Sequence, residues 1–177
     1  MLPKNSRVGD HSCILEARLY CGVTINVEGG MAYKKILVAI DLTDEADDVL
    51  KQAEETAKQN GAELSLVSVV KPINQVYAGF DVAALSADAA MIEQDAIRQA
   101  GERLAEHGKR YSIPTTRCKV ARGSPAYEIR QMAEQLGADL IVIGTHGRHG
   151  LGLLLGSTAN GVLHGAPCDV LTVKIRR

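Results

Sequence analysis

The sequence has no tryptophan and a single phenylalanine among its 177 residues, and aromatics make up only 3% of it. Stacking platforms for single-stranded nucleic acid or sugar rings depend on such side chains, so both functions are disfavoured. An excess of one charge is also lacking: 20 Lys and Arg face 21 Asp and Glu, for a net charge of -1. Such a chain exerts little pull on a phosphate backbone or an anionic bilayer, and nucleic acid is not an expected partner. No apolar run approaches the roughly 20 residues needed to cross a bilayer, so no membrane insertion is expected. Four cysteines, Cys13, Cys21, Cys118 and Cys168, are scattered without a Cys-x-x-Cys or a zinc-type Cys/His spacing. Scattered thiols fit a reducing cytoplasm, with Cys168 expected as a buried free thiol at the start of an apolar strand.

Several nucleotide and catalytic signatures are missing too. No lysine precedes Ser157, as a P-loop would require, and Ala39 to Thr43 contains no glycine for a dinucleotide fingerprint. Protein-kinase and Gly-x-Ser-x-Gly motifs are absent, and no motif assembles a catalytic triad or a carboxylate pair. No catalytic residue is therefore assigned.

What is present is an alternation. Ile36 to Ile40 is a short, branched apolar run, too apolar to have one wet face. Thr43 or Asp44 is placed to cap a helix carrying Val49, Leu50, Ala53 and Ala57 and stopping at Asn60-Gly61. Glu63 to Val70 reads as a second strand, halted by Lys71-Pro72. A connection over 73–90 leads to a helix from Met91 to Gly108, with Met91, Ala96, Ala100, Leu104 and Ala105 as its apolar side. Thr115 to Ala121 is expected as a third strand. Ser124-Pro125 then marks a helix start, and Ile129, Met132, Ala133 and Leu136 recur at helical spacing up to Gly137. Asp139 to Ile143 is the fourth strand, Thr158 to His164 a helix, and Asp169 to Ile175 the fifth strand.

Strands alternating with helices predict an α/β fold, a parallel sheet covered on both faces. The strand order is not readable from this pattern. Residues 1–30 lack sustained periodicity and end in Glu28-Gly29-Gly30. They are expected to be an extension, disordered or not native, ahead of a single domain over 31–177 that starts at Met31.

The richest segment runs from Gly144 to Thr158, with five glycines and, at its end, Ser157-Thr158 opening a helix. It directly follows the apolar Leu140 to Ile143. Glycines let backbone N–H groups approach an anion closely, and a helix start offers unpaired donors with a partial positive charge. The loop is thus a candidate phosphate cradle, with Gly144 and Gly147 permitting the turn and close approach. Gly156, Ser157 and Thr158 would present amides and hydroxyls, and Arg148 and His149 are the nearby cationic side chains. His146 and His149 stand three apart with no third ligand, so no protein metal site is assigned. In an open parallel sheet, ligands bind beyond the carboxyl ends of strands where the order reverses. Asp41, just past the first strand, is then a candidate acceptor for an adenine amine or a ribose hydroxyl.

Met31-Ala-Tyr-Lys-Lys-Ile-Leu-Val-Ala-Ile-Asp41, Gly144-Thr-His-Gly147 with Gly156-Ser157, and the closing Ala166-Pro-Cys-Asp-Val-Leu-Thr-Val-Lys174 together resemble the universal stress protein family. The resemblance covers nearly all of Met31 to Arg177. It implies a doubly wound five-stranded parallel sheet of order 3-2-1-4-5 with four helices, of the adenine nucleotide alpha-hydrolase type. It also implies ATP as ligand, with Mg²⁺ as its companion. By position, Ala39, Ile40 and Asp41 would surround the adenosine and Val69 would lie against adenine. Gly144, Thr145, His146, Gly147, Arg148, Gly156, Ser157 and Thr158 would lie near ribose and phosphates. The family pattern places nine residues between the second and third glycines, whereas eight, Arg148 to Leu155, separate Gly147 from Gly156 here. Homodimers are implied as well, through a last strand bearing Val170, Leu171, Thr172 and Val173. The function expected is that of an ATP-binding regulator in stress response; the alternatives are a nucleotide-free dimeric adaptor acting on a partner such as a transporter, or a slow ATPase.

Overall fold

A computed structural model of the chain describes residues 32–72, 86–145 and 155–175. Ala32–Arg177 forms one compact unit. Its five strands are β1 (Lys35–Ala39), β2 (Glu63–Val70), β3 (Cys118–Arg122), β4 (Leu140–Gly144) and β5 (Asp169–Val173). The four helices described are α1 (Ala46–Asn60), α2 (Ser86–Arg110), α3 (Pro125–Leu136) and α4 (Ser157–Leu163). All strand pairs are parallel, and the order is β3-β2-β1-β4-β5.

β1 beyond Lys35 and β4 are apolar because both of their faces are covered. Side chains alternate across a strand, so Ile36 and Val38 point to one side of the sheet and Leu37 and Ala39 to the other. The first side is closed by α1 and α2 through Val49, Leu50, Ala53 and Leu104. The second is closed by α3 and α4 through Ile129, Ala133, Ala159 and Val162. Leu50, Val67, Ala133, Ile141 and Val162 are fully enclosed. Removing a large side chain from such a position costs about 2–5 kcal/mol.

Both helix stops expected at glycines form: Gly61 (φ 66) and Gly137 (φ 59) take the left-handed backbone and close α1 and α3. Other expectations need correction. Thr43 does not cap α1: Glu45 holds the N-cap position, and the Thr43 hydroxyl donates to Asp41 instead. Ser124 holds the N-cap position of α3, yet its side chain caps nothing. Thr115–Arg117 is a 3₁₀ turn, closed by Arg117 N–H donating to Pro114 C=O, and the strand begins only at Cys118. β5 ends at Val173, short of Ile175.

Helix α2 is longer than expected at both ends. It starts at Ser86, within a run of good helix formers that carries no apolar period. Met91, placed on the apolar side, is 71% exposed; the buried contacts come from Ala100 and Leu104. Gly108 does not end the helix, which runs on to Arg110. A Cβ at Gly108 would lie 2.6 Å from Cys118 Sγ, so glycine serves close packing of α2 on β3. Cys118 and Cys168 are free thiols, both half-buried rather than fully enclosed, and burial raises the pKa of each. None of the described helices is long and apolar enough to cross a membrane.

Candidate functional site

The connection leaving β1 turns towards one face of the sheet and that leaving β4 towards the other. The order reversal between these neighbours opens a crevice over their carboxyl ends, as the topology requires. Its volume is about 810 Å³, within the range of small-molecule sites.

The β1 end supplies Ala39, Ile40 and Asp41, and the β2 end supplies Val69. Gly144 and Thr145 contribute from β4, and Gly156, Ser157 and Thr158 from the start of α4. Nine of the residues singled out from sequence therefore line one crevice. His146, Gly147, Arg148 and His149 lie outside the described residues, as does most of the 73–90 connection.

Main-chain bonds fix this rim. Ile40 N–H donates to Val67 C=O at 3.0 Å, which holds the β1 exit against β2. Thr145 N–H donates to Val173 C=O at 2.8 Å, extending the β4–β5 ladder by one residue. Gly156 N–H donates to Thr145 C=O at 2.7 Å, which brings the α4 start back to the β4 end. Gly156 itself has φ -59 and ψ 152, a conformation open to any residue. What glycine contributes there is the missing side chain, not special backbone freedom.

Asp41 is exposed at the crevice edge. Its Oδ1 accepts the Thr43 hydroxyl at 2.7 Å and the Thr43 N–H at 3.3 Å, an Asx-type turn that orients the carboxylate. Both bonds use the same oxygen, leaving Oδ2 without a partner in that turn. Leu42 between them has φ 59, a left-handed conformation that costs a bulky residue about 1–2 kcal/mol. That sharp bend, at a crevice-lining residue, carries the chain from β1 towards α1 without covering the opening.

Sequence reasoning missed the far wall. Lys71 from the end of β2, and Ala96, Gln99, Ala100 and Arg103 from α2, also line the crevice. Ser68 lines it too and is the buried polar side chain of the described core. The helical spacing of the α2 residues was visible, but which helix flanks the β2 end depends on strand order. Among the described residues no cluster of three His, Cys, Asp or Glu side chains could hold a metal ion.

The topology and this crevice define a doubly wound α/β protein with an open crevice at its switch point. The family model of the universal stress protein family matches residues 32–174. Universal stress protein A homolog 2 of Coxiella burnetii is 39% identical over 145 residues, spanning 81% of this chain and 97% of its own. Homolog 1 of the same organism is 39% identical over 143 residues, with the same coverage. Among solved structures, universal stress protein UspA from Lactobacillus plantarum aligns with a TM-score of 0.68 at 23% identity, over 81% of this chain and 99% of its own. A universal stress protein in complex with cAMP aligns with a TM-score of 0.54 at 23% identity, over 82% and 99%. The chain belongs to the universal stress protein family.

Proposed function

We propose that this protein binds ATP in the crevice and acts in the cytoplasm, as a homodimer, as a nucleotide-dependent regulator in stress response. The observation that carries the reading is the meeting of Asp41, Val69 and the side-chain-free Gly156 on one opening at the switch point. An acceptor for a ribose hydroxyl, an aliphatic surface for a base and an unobstructed backbone for phosphate are the three needs of a nucleotide. A relative crystallised with cAMP supports a nucleotide of this class.

In this reading Ala39 and Ile40 flank the adenosine, and Gly144, Thr145, Ser157 and Thr158 face ribose and phosphates. His146, Gly147 and Arg148 complete the cradle. Mg²⁺ would be held by phosphate oxygens and water rather than by a protein metal site. With no P-loop lysine, each amide or helix-end interaction contributes only about 0.3–1 kcal/mol. Affinity is therefore expected near micromolar, about -8 kcal/mol. Regulation follows from a difference between nucleotide-bound and free states, and no residue is assigned to hydrolysis.

One feature favours a second reading. Eight residues, not nine, separate Gly147 from Gly156, which favours a nucleotide-free dimeric adaptor. Calorimetry of the full chain with ATP and Mg²⁺ decides between them. Binding near micromolar is expected; no heat at millimolar ATP would leave the adaptor.

A further inference from the structure

Helix α1 starts without the cap that its sequence offers. Glu45 holds the N-cap position with no capping bond from its side chain, although the first amides of a helix lack partners within it. Threonine is among the residues that satisfy such amides well. Yet the Thr43 hydroxyl donates to Asp41 Oδ1 at 2.7 Å, and the Thr43 N–H donates to the same oxygen at 3.3 Å. The Thr43 carbonyl is what serves α1, accepting Ala46 N–H at 3.0 Å. A local gain in stability is passed over, and the side chain held instead is a carboxylate lining the crevice.

The backbone around this pair is held from three sides. Ile40 N–H is fixed to Val67 C=O of β2 at 3.0 Å. Leu42 packs against the core on the α1 side of the sheet while its backbone keeps φ 59. Thr43 is tied forward to Ala46. A bulky residue keeps a left-handed backbone only where its surroundings over-determine it, and such strain gathers at ligand-binding positions. Asp41, Leu42, Glu45 and Ala46 line the crevice, whereas Thr43 does not. Any effect of Thr43 on a ligand there must therefore pass through a neighbour, and its side chain is bonded to Asp41.

We propose that Thr43 is a positioning residue, which touches no ligand and sets the Asp41 carboxylate before the nucleotide arrives; this rests on the nucleotide function proposed above. Both bonds of the turn end on Oδ1, so Oδ2 is the oxygen left to accept from the ligand. A carboxylate fixed in advance gives up no rotamer freedom on binding, and that saving appears as affinity. The hydroxyl is the stronger of the two ties by its length, so the threonine side chain, not the backbone N–H alone, carries the effect.

The test measures ATP affinity by calorimetry, with Mg²⁺, on the full chain and on Thr43→Val, Thr43→Ser, Asp41→Ala and the double variant Asp41→Ala with Thr43→Val. Thermal melts confirm that each variant folds. Thr43→Val keeps the branched shape without the hydroxyl and is expected to weaken ATP about fivefold. Thr43→Ser keeps the hydroxyl and should restore most of that loss. Once Asp41 is alanine, Thr43→Val should weaken ATP no further, because the group it positions is gone. A merely structural threonine would cost the same with or without Asp41. Unchanged affinity in Thr43→Val, a loss in Thr43→Ser as large as in Thr43→Val, or an equal loss in both Asp41 backgrounds would each overturn the inference while leaving the nucleotide site intact. No ATP binding by the unmutated chain would remove the proposed function and this inference together.

Discussion

The N–H of Gly156 donates to the carbonyl of Thr145 at 2.7 Å, joining two residues that are 11 positions apart in sequence. That bond brings the end of β4 and the start of α4 together on one side of the crevice. It occupies the Gly156 N–H, so the amides free to meet an anion there belong to the residues that follow. The glycine matters instead as an opening.

Gly156→Val tests that role. With φ -59 the backbone accepts valine, and replacing glycine at an N-cap costs only about 1 kcal/mol. The melting temperature is therefore expected to fall by a few degrees. In the proposed site a side chain at this position would compete with the phosphates, so ATP affinity should drop at least about tenfold, a loss near 1.4 kcal/mol. Unchanged affinity measured by calorimetry would show that the phosphates lie elsewhere.

Strand β5 provides a second prediction. Among the described residues it pairs only with β4, and no described strand covers its other edge. The carbonyl of Val173 points to β4, where it accepts from Thr145. Backbone groups alternate sides along a strand, so Thr172 turns its N–H and C=O to the free edge. Proline at an edge position removes a donor without cutting the ladder. Thr172→Pro is expected to leave a folded protein and to shift a dimer to monomer in sedimentation experiments. A dimer that persists would place the interface away from Val170, Leu171, Thr172 and Val173.

The extent to which these features are legible in sequence follows from their range. Periodicity exposes α1, α3 and the central strands, because Ile36 to Ile40 and Leu140 to Ile143 must be apolar to sit between two helical layers. Left-handed stops at Gly61 and Gly137 are local and equally visible. Strand order is not local; it came through resemblance. Thr115 and Thr116 have the β-branched look of a strand, yet Pro114 and the bond closing on it turn them into a 3₁₀ step. Leu42 gives no hint of a left-handed backbone, since leucine disfavours it. The wall formed by Gln99 and Arg103 becomes apparent only once α2 lies beside the β2 end.

Asp139 stitches the opposite end of the sheet. Its Oδ2 accepts the N–H groups of Lys34 at 2.8 Å and Lys35 at 2.9 Å, tying the start of β4 to the start of β1. These backbone donors, Lys34 first, hold its carboxyl below the ordinary aspartate range. A lowered folded-state pKa means that the contribution is full above the unfolded value, about 3.9, and is lost as pH falls through the folded value. Asp139→Asn is therefore expected to melt at a lower temperature at pH 7. The gap from the unmutated chain should narrow below about pH 4, where the aspartate protonates. A gap constant between pH 7 and pH 3 would mean that the charge contributes nothing.

Gly161 governs how closely α4 approaches α3, and hence where the Gly156 to Thr158 rim sits. A Cβ at Gly161 would lie 2.8 Å from the Cβ of Ala126, closer than two methyl groups can approach. Helix propensity alone favours alanine over glycine by about 1 kcal/mol. Overpacking between two helices costs about 1–3 kcal/mol, and neither methyl can swing aside as a long side chain would. The steric term is expected to win, so Gly161→Ala should lower stability by about 1 kcal/mol, or roughly 2–4 °C in melting temperature. Ala126→Gly in the same chain removes the opposing methyl and should recover part of that loss. Thermal melts of both single variants and the double variant measure the coupling directly. Strict additivity would show that the helices do not meet at this point, whereas a favourable coupling would locate the contact that sets the height of the crevice rim.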